Sequence, residues 1–221
     1  MLSGVTVSCF LLSYLVVLVM EGSRFLAKVP GRQALLVGML IAGLFAHSIF
    51  LVNQFGATTT ESGPQVLANW FQWSVLGAWG VSLTYLVLAI RNPQGGFGLF
   101  LIPVIMTLIG LGQLLRGSAP FKSQTTVSIW NVIHGVSLLV GTMVICLGVA
   151  FGVMYLVQSY RLKNKLRSKR LRLPTLEFLQ SMNRMCLFIT SISLAVGVVS
   201  GFVLNVSQGR PIAWYSTGIL E

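Results

Sequence analysis

Residues 129–158 read IWNVIHGVSLLVGTMVICLGVAFGVMYLVQ, a run without a single lysine, arginine, aspartate or glutamate. A membrane-crossing helix needs roughly 20 mainly apolar residues, so this stretch is longer than one crossing requires and should tilt or project from the bilayer. Five more apolar runs accompany it, at about 3–20, 34–53, 70–90, 97–115 and 185–204. Only 9% of the chain is charged, against about 25% in a soluble domain, and the mean hydropathy is +0.84. Too few charges remain to cover a water-facing surface, which excludes a soluble enzyme. The expected fold is all-α: a polytopic transmembrane bundle of about six spanning helices, forming one domain over residues 1–221. The last segment turns apolar again at Ile212 with ten residues left. Either the chain ends on the membrane surface there or a longer protein continues into a further helix.

The net charge of +11 would suggest nucleic acid in a soluble protein. Here its distribution gives another reading. Twelve of the fifteen basic residues follow the first, third and fifth runs: Arg24, Lys28, Arg32, Arg91, and eight more between Arg161 and Arg184. Only Arg116, Lys122 and Arg210 follow the others. Basic loops stay in the cytoplasm, so this bias puts the N-terminus outside and excludes nucleic acid as a partner. The first run has no basic residue before it and reads as a retained helix rather than a signal peptide. Cys9, Cys146 and Cys186 lie inside apolar runs without a CxxC and read as small buried hydrophobes.

An ionisable residue inside a spanning segment marks a functional site by default, since its cost demands a partner. The chain has two histidines, His47 and His134, and both lie in apolar runs. On the topology above both fall in the outer half of the membrane, which suits a shared site. A neutral imidazole can ligate a metal or relay a proton. The four acids, Glu21, Glu61, Glu177 and Glu221, read as loop or terminal residues, which argues against a carboxylate metal site, a proton-coupled pump or a Ser-His-Asp arrangement. Tryptophans cluster near the outer helix ends: Trp70, Trp73 and Trp79 with Phe71, then Trp130 and Trp214. Part of that is the interfacial belt. The rest could form a platform for a flat apolar macrocycle, and haem fits one, with an iron that takes imidazole. Arg116, Lys122 or Arg210 could then meet its propionates. The glycine pairs Gly148/Gly152 and Gly197/Gly201 let helices approach closely.

The stretches WNVIHGVSLLVGTMVICLGVAFGVMYLVQSYRLKNK and RLPTLEFLQSMNRMCLFITSISLAVGVVSG resemble the integral-membrane cytochrome c assembly protein family. The likeness runs through His134, Tyr155, Leu156, Arg161, Leu162, Lys163, Leu173, Pro174, Leu176, Glu177, Asn183, Arg184, Gly197 and Gly201. Upstream, GLFAHSIFLVNQFG looks like the family's histidine-bearing second helix and NWFQWSVLGAWGVSLTYLVL like its aromatic third. The resemblance implies a membrane protein of c-type cytochrome biogenesis in the bacterial inner (plasma) membrane, which delivers haem at the outer face for attachment to apocytochrome c. His134 and His47 carry over as candidate haem ligands, with Trp130 and Trp73 as aromatic neighbours. The implied partners are haem, apocytochrome c and other assembly proteins of the same membrane.

The chain departs from the family members that perform ligation. They have a tryptophan-rich outer loop with an aspartate and a second flanking histidine. Here only RPIAWYSTG stands where such a loop would begin. No bond-making residue is visible, so the chain by itself reads as a haem-binding protein rather than an enzyme. Two alternatives remain open at this level: a non-catalytic membrane regulator of haem biosynthesis or scaffold, and a small-solute transporter using His47, Gln72 and Gln113.

Overall fold

The computed structural model describes residues 6–25, 31–58, 69–93, 95–116, 129–165 and 173–207. Among them the chain is helical with no strand: α1 (Val7–Gly22), a short 3-10 turn at Ser23–Phe25, α2 (Arg32–Thr58), α3 (Trp70–Arg91), α4 (Gly98–Leu114), α5 (Ile129–Lys163) and α6 (Leu176–Ser207). By length and apolarity α2, α3, α5 and α6 can each cross a membrane, while α1 and α4 are also apolar but shorter. The all-helical, polytopic membrane architecture is the one read from the sequence.

The helices form two packing units. α1 packs on α2 and α4, α2 on α3, and α3 on α4, which closes a square of four; α5 leans on α3 and α4, and α6 packs on α5. Contacts run antiparallel throughout the square. Ser13 Oγ donates to the Met39 carbonyl at 3.2 Å, and Trp79 Nε1 donates to Ser48 Oγ at 2.9 Å across α3 and α2. One end of the bundle therefore gathers Arg24, Arg32, Arg91, Arg161 and Lys163, and is called the arginine end below. The other, where Trp70 opens α3 and Trp130 opens α5, is the tryptophan end.

Buried positions recur at helical spacing: Phe10, Tyr14, Val17 and Glu21 on α1, and Phe71, Val75, Ala78, Ser82, Tyr85 and Ala89 on α3. The opposite faces are just as apolar, because lipid tails accept leucine as readily as the protein interior does. What marks the inner face is polarity and small size. Glu21, His47, Gln72 and Ser82 are all buried. Gly43 lies so close to α1 that a Cβ there would sit 3.0 Å from Ser13 Cβ.

Three expectations need correction. Glu21 is not a loop residue: it occupies the last turn of α1, almost fully buried. α6 begins at Leu176, not near 185, and so takes in Glu177 and Arg184. Thr175 Oγ1 accepts the Phe178 N–H at 3.3 Å, which caps the helix, and fully buried Leu179 anchors this added turn; a search for an unbroken apolar run passes over both signals. Cys9 is exposed on α1 rather than buried, while Cys186 is buried as expected. At 35 and 32 residues, α5 and α6 each measure about 50 Å, well beyond the hydrocarbon core of about 30 Å.

Candidate functional site

The two histidines occupy different packing units. His47 lies in α2 with no exposed surface. Its Nε2 is 3.1 Å from the Val75 carbonyl of α3, and its Nδ1 is 3.1 Å from the Tyr14 hydroxyl of α1. A carbonyl only accepts, so Nε2 carries the proton and Nδ1 accepts from the Tyr14 O–H. Phe10 covers one face of the ring, stacked at 4.2 Å and 4°. Both nitrogens are thus used within the protein, and the ring joins α1, α2 and α3.

His134 lies in the second turn of α5, half-buried. Its Nδ1 is 2.8 Å from the Gly197 carbonyl of α6. By the same reasoning Nδ1 carries the proton and Nε2 keeps its lone pair. The two histidines therefore hold opposite tautomers. They are not brought together: α2 has no packing contact with α5 or α6 among the described residues.

The sequence of the α5–α6 pair explains why His134 sits so near α6. Small residues recur along both helices, and the seam is reciprocal. Gly148 of α5 receives α6, where a Cβ would stand 3.2 Å from Cys186 Cβ. Gly197 and Gly201 of α6 receive α5, where a Cβ on Gly197 would stand 3.1 Å from Leu138 Cδ2. A Cβ on Gly201 would stand 2.9 Å from His134 Cε1 and 3.1 Å from Nδ1. Both glycine pairs singled out in the sequence thus lie in this seam.

Two tryptophans lie near His134 along α5, at Gly135 and one turn earlier. Trp73 of α3 packs on α5 at the next residue, its Cη2 3.4 Å from where a Cβ on Gly135 would be. Trp130 lies one turn before His134 and is partly exposed. Trp130 and Ile133 border an apolar groove of 260 Å³, completed from α6 by Ala195, Val196, Val199 and Ser200. Trp79 is instead engaged with Ser48. Arg116 lies over the Phe71 ring, 4.8 Å from its centroid, so the cation considered for a propionate sits on α3. Lys122, Arg210 and Trp214 lie outside the described residues. Of the four predicted site residues, His134, Trp130 and Trp73 lie at the tryptophan end on neighbouring α5 and α3, and His47 lies in the other packing unit.

As a donor set this corner fits haem in chemistry: one neutral imidazole oriented through its second nitrogen, aromatic rings, and an apolar groove. No group of three or more histidine, cysteine or acidic side chains able to hold a bare metal ion occurs among the described residues.

A second polar cluster, which the sequence reading missed, lies at the arginine end. Glu21 pairs with Arg24, Nε to Oε2 at 2.6 Å, and accepts from the Tyr85 hydroxyl at 2.9 Å. Arg24 Nη2 also donates to the Pro93 carbonyl at 3.3 Å. The usable signal was a lone acid followed three residues later by an arginine at the end of an apolar run.

The family model for Cytochrome C assembly protein matches residues 67–211, more than half of the chain and all of α3 to α6. The chain therefore belongs to the membrane cytochrome c assembly family, and with it to c-type cytochrome biogenesis. His134, Trp130 and Trp73 lie within the matched residues; His47 precedes them. No curated protein and no solved structure matches the chain.

Proposed function

From that membership and this geometry, we propose that the protein binds haem at its tryptophan end through His134 and takes part in haem delivery during c-type cytochrome assembly. The observation that carries the reading is the state of the His134 ring. Its Nδ1–H goes to the Gly197 carbonyl, so Nε2 is the nitrogen with a lone pair, and a metal-bound histidine normally gives its other N–H to such an acceptor. Trp130 borders an apolar groove one turn before His134, and Trp73 packs on α5 at Gly135, so aromatic surface for a macrocycle is close by. His47 is assigned to holding α1, α2 and α3 together, since both its nitrogens are already engaged.

Haem, when bound, supplies the iron that imidazole coordinates, and is itself the cargo. This chain's residues bind and orient it; attachment to apocytochrome c thiols falls to partner proteins of the same membrane. The test is the optical spectrum of detergent-purified protein made with haem supplied. A Soret band is expected in the wild type, weakened at least about tenfold in His134→Ala and kept per folded molecule in His47→Ala. A folded wild type without a band would overturn haem binding and favour a regulator of haem biosynthesis or a scaffold.

The reading also assigns sidedness. In a bacterial inner membrane the arginine end faces the cytoplasm, following the positive-inside bias, and His134 then lies toward the outer face. Single-cysteine variants at Ile129 and Lys163, in an otherwise cysteine-free chain, check this. An impermeant maleimide added to intact cells is expected to label Ile129→Cys, and to reach Lys163→Cys only after lysis. The opposite pattern would invert the topology.

A further inference from the structure

We infer that α6 is the positioning element of the haem site: the Gly197 carbonyl and the bare Cα of Gly201 together fix the His134 imidazole so that Nε2 is the atom offered to iron. The inference rests on the haem-binding reading and adds the residues that make it work.

Two independent features of α6 act on one ring. The first is a hydrogen bond. The Gly197 carbonyl takes the Nδ1–H at 2.8 Å and so selects the tautomer, since an imidazole with Nδ1 protonated has its lone pair on Nε2 alone. The same carbonyl lies 3.0 Å from Ser200 Oγ, whose hydroxyl also reaches the Val196 carbonyl at 2.7 Å. Ser200 is almost fully buried, so this acceptor is braced from its own helix. The second feature is steric. The Cε1–Nδ1 edge of His134 occupies the space that a side chain on Gly201 would fill, with Cε1 at 2.9 Å, Nδ1 at 3.1 Å and Nε2 at 3.8 Å from the Cβ position. A methyl group there must displace either the ring or the helix. The nitrogen farthest from Gly201 is the one left for iron.

Gly197 and Gly201 are one turn apart, so carbonyl and gap face the same stretch of α5. Ser137 fixes the other side of the contact. Its hydroxyl donates to the His134 carbonyl at 3.0 Å and lies 3.3 Å from the Cβ position of Gly197. Neither glycine touches the iron; both act through the imidazole.

The experiment has two arms on full-length protein in detergent. In the haem-free wild type, nitrogen-15 NMR of labelled histidine reads the tautomers directly, and the signal lost in His134→Gln identifies His134. It is expected to show a protonated Nδ1 and a bare Nε2. A protonated Nε2 in that signal overturns the proposal whatever the haem result. In the haem-loaded arm, Gly201→Ala pushes the ring off the Gly197 carbonyl and is expected to lower haem affinity about tenfold, the scale of a disturbed outer shell at metal sites, and to shift the Soret maximum of what remains. The control Gly152→Ala lies in the same seam, where the nearest atom to the new Cβ is Asn183 Oδ1 at 3.8 Å, and should leave the spectrum unchanged. If Gly201→Ala lowers only thermal stability and matches the wild-type spectrum and affinity, the positioning role is overturned while haem binding stands. If the folded wild type binds no haem, the haem-binding reading itself fails.

Discussion

Arg24→Ala is expected to lower stability by about 3–5 kcal/mol, the usual cost of stranding one member of a buried ion pair. Arg24 and Glu21 have side chains only 5% and 2% exposed, with Nε and Oε2 at 2.6 Å. The pair is enclosed by the start of α4: a Cβ on Gly98 would fall 2.6 Å from Glu21 Cγ and even closer to the Tyr85 hydroxyl. No room remains for a side chain there, and truncation of the arginine removes the ion pair while the carboxylate still accepts from the neutral Tyr85 hydroxyl. The Pro93 carbonyl loses the Nη2 donor as well. The loss should be largely recovered in Glu21→Met/Arg24→Met, because replacing both charges by apolar chains of similar length removes the stranded charge instead of exposing it. Unfolding in mild detergent, followed by tryptophan fluorescence, measures both. A single variant within about 1 kcal/mol of the wild type would mean that the pair behaves as an exposed one and does not tie α1 to α3 and α4.

This cluster also marks a limit of the sequence. Glu21 closes an apolar run, and reading by hydropathy alone moved it into the following loop. Helix existence was legible because lipid demands long apolar segments with every backbone group satisfied internally. Five helices therefore begin and end within a few residues of the expected runs, and α6 deviates where a capped amphipathic turn precedes its apolar stretch. The inward face was not legible in the same way. In water the apolar stripe points to the core; in a bilayer both faces of α3 are apolar, and only scattered positions such as Gln72 and Ser82 betray the interior. The glycine pairs were a better guide, since close approach needs small residues in lipid as in water, and both fall in the α5–α6 seam. The histidines were readable as a pair of costly residues but not as separate sites. Their depth follows from topology, whereas their partners depend on which helices are neighbours. Tyr14 lies 33 residues from His47 and Gly197 lies 63 from His134, and neither spacing carries a local signal.

His47→Ala supplies the sharpest contrast with His134. The substitution is expected to destabilise the protein by about 3–5 kcal/mol, in the range of other large aromatic truncations in cores, with the loss of two buried hydrogen bonds included. It removes a ring with no exposed surface, leaves the Phe10 face without its stacked partner, and leaves the Tyr14 hydroxyl and Val75 carbonyl each without their imidazole contact. His47→Gln should recover part of the loss, since a carboxamide has both a donor and an acceptor, although it cannot stack on Phe10 as a ring does. Haem occupancy per folded molecule should be unaffected by either change. His134→Ala should do the reverse. His134 is half-buried at a helix start and its ring makes one hydrogen bond, so its removal should cost roughly 1–2 kcal/mol while abolishing most of the haem signal. Unfolding curves and Soret absorbance of the same preparations separate the two roles. If His47→Ala folds with wild-type stability yet loses haem, the ligand is His47, and the hydrogen bonds to Tyr14 and Val75 must open when haem binds. If both variants lose haem at unchanged stability, the two imidazoles act on one iron, and the helices that separate them here must rearrange around it.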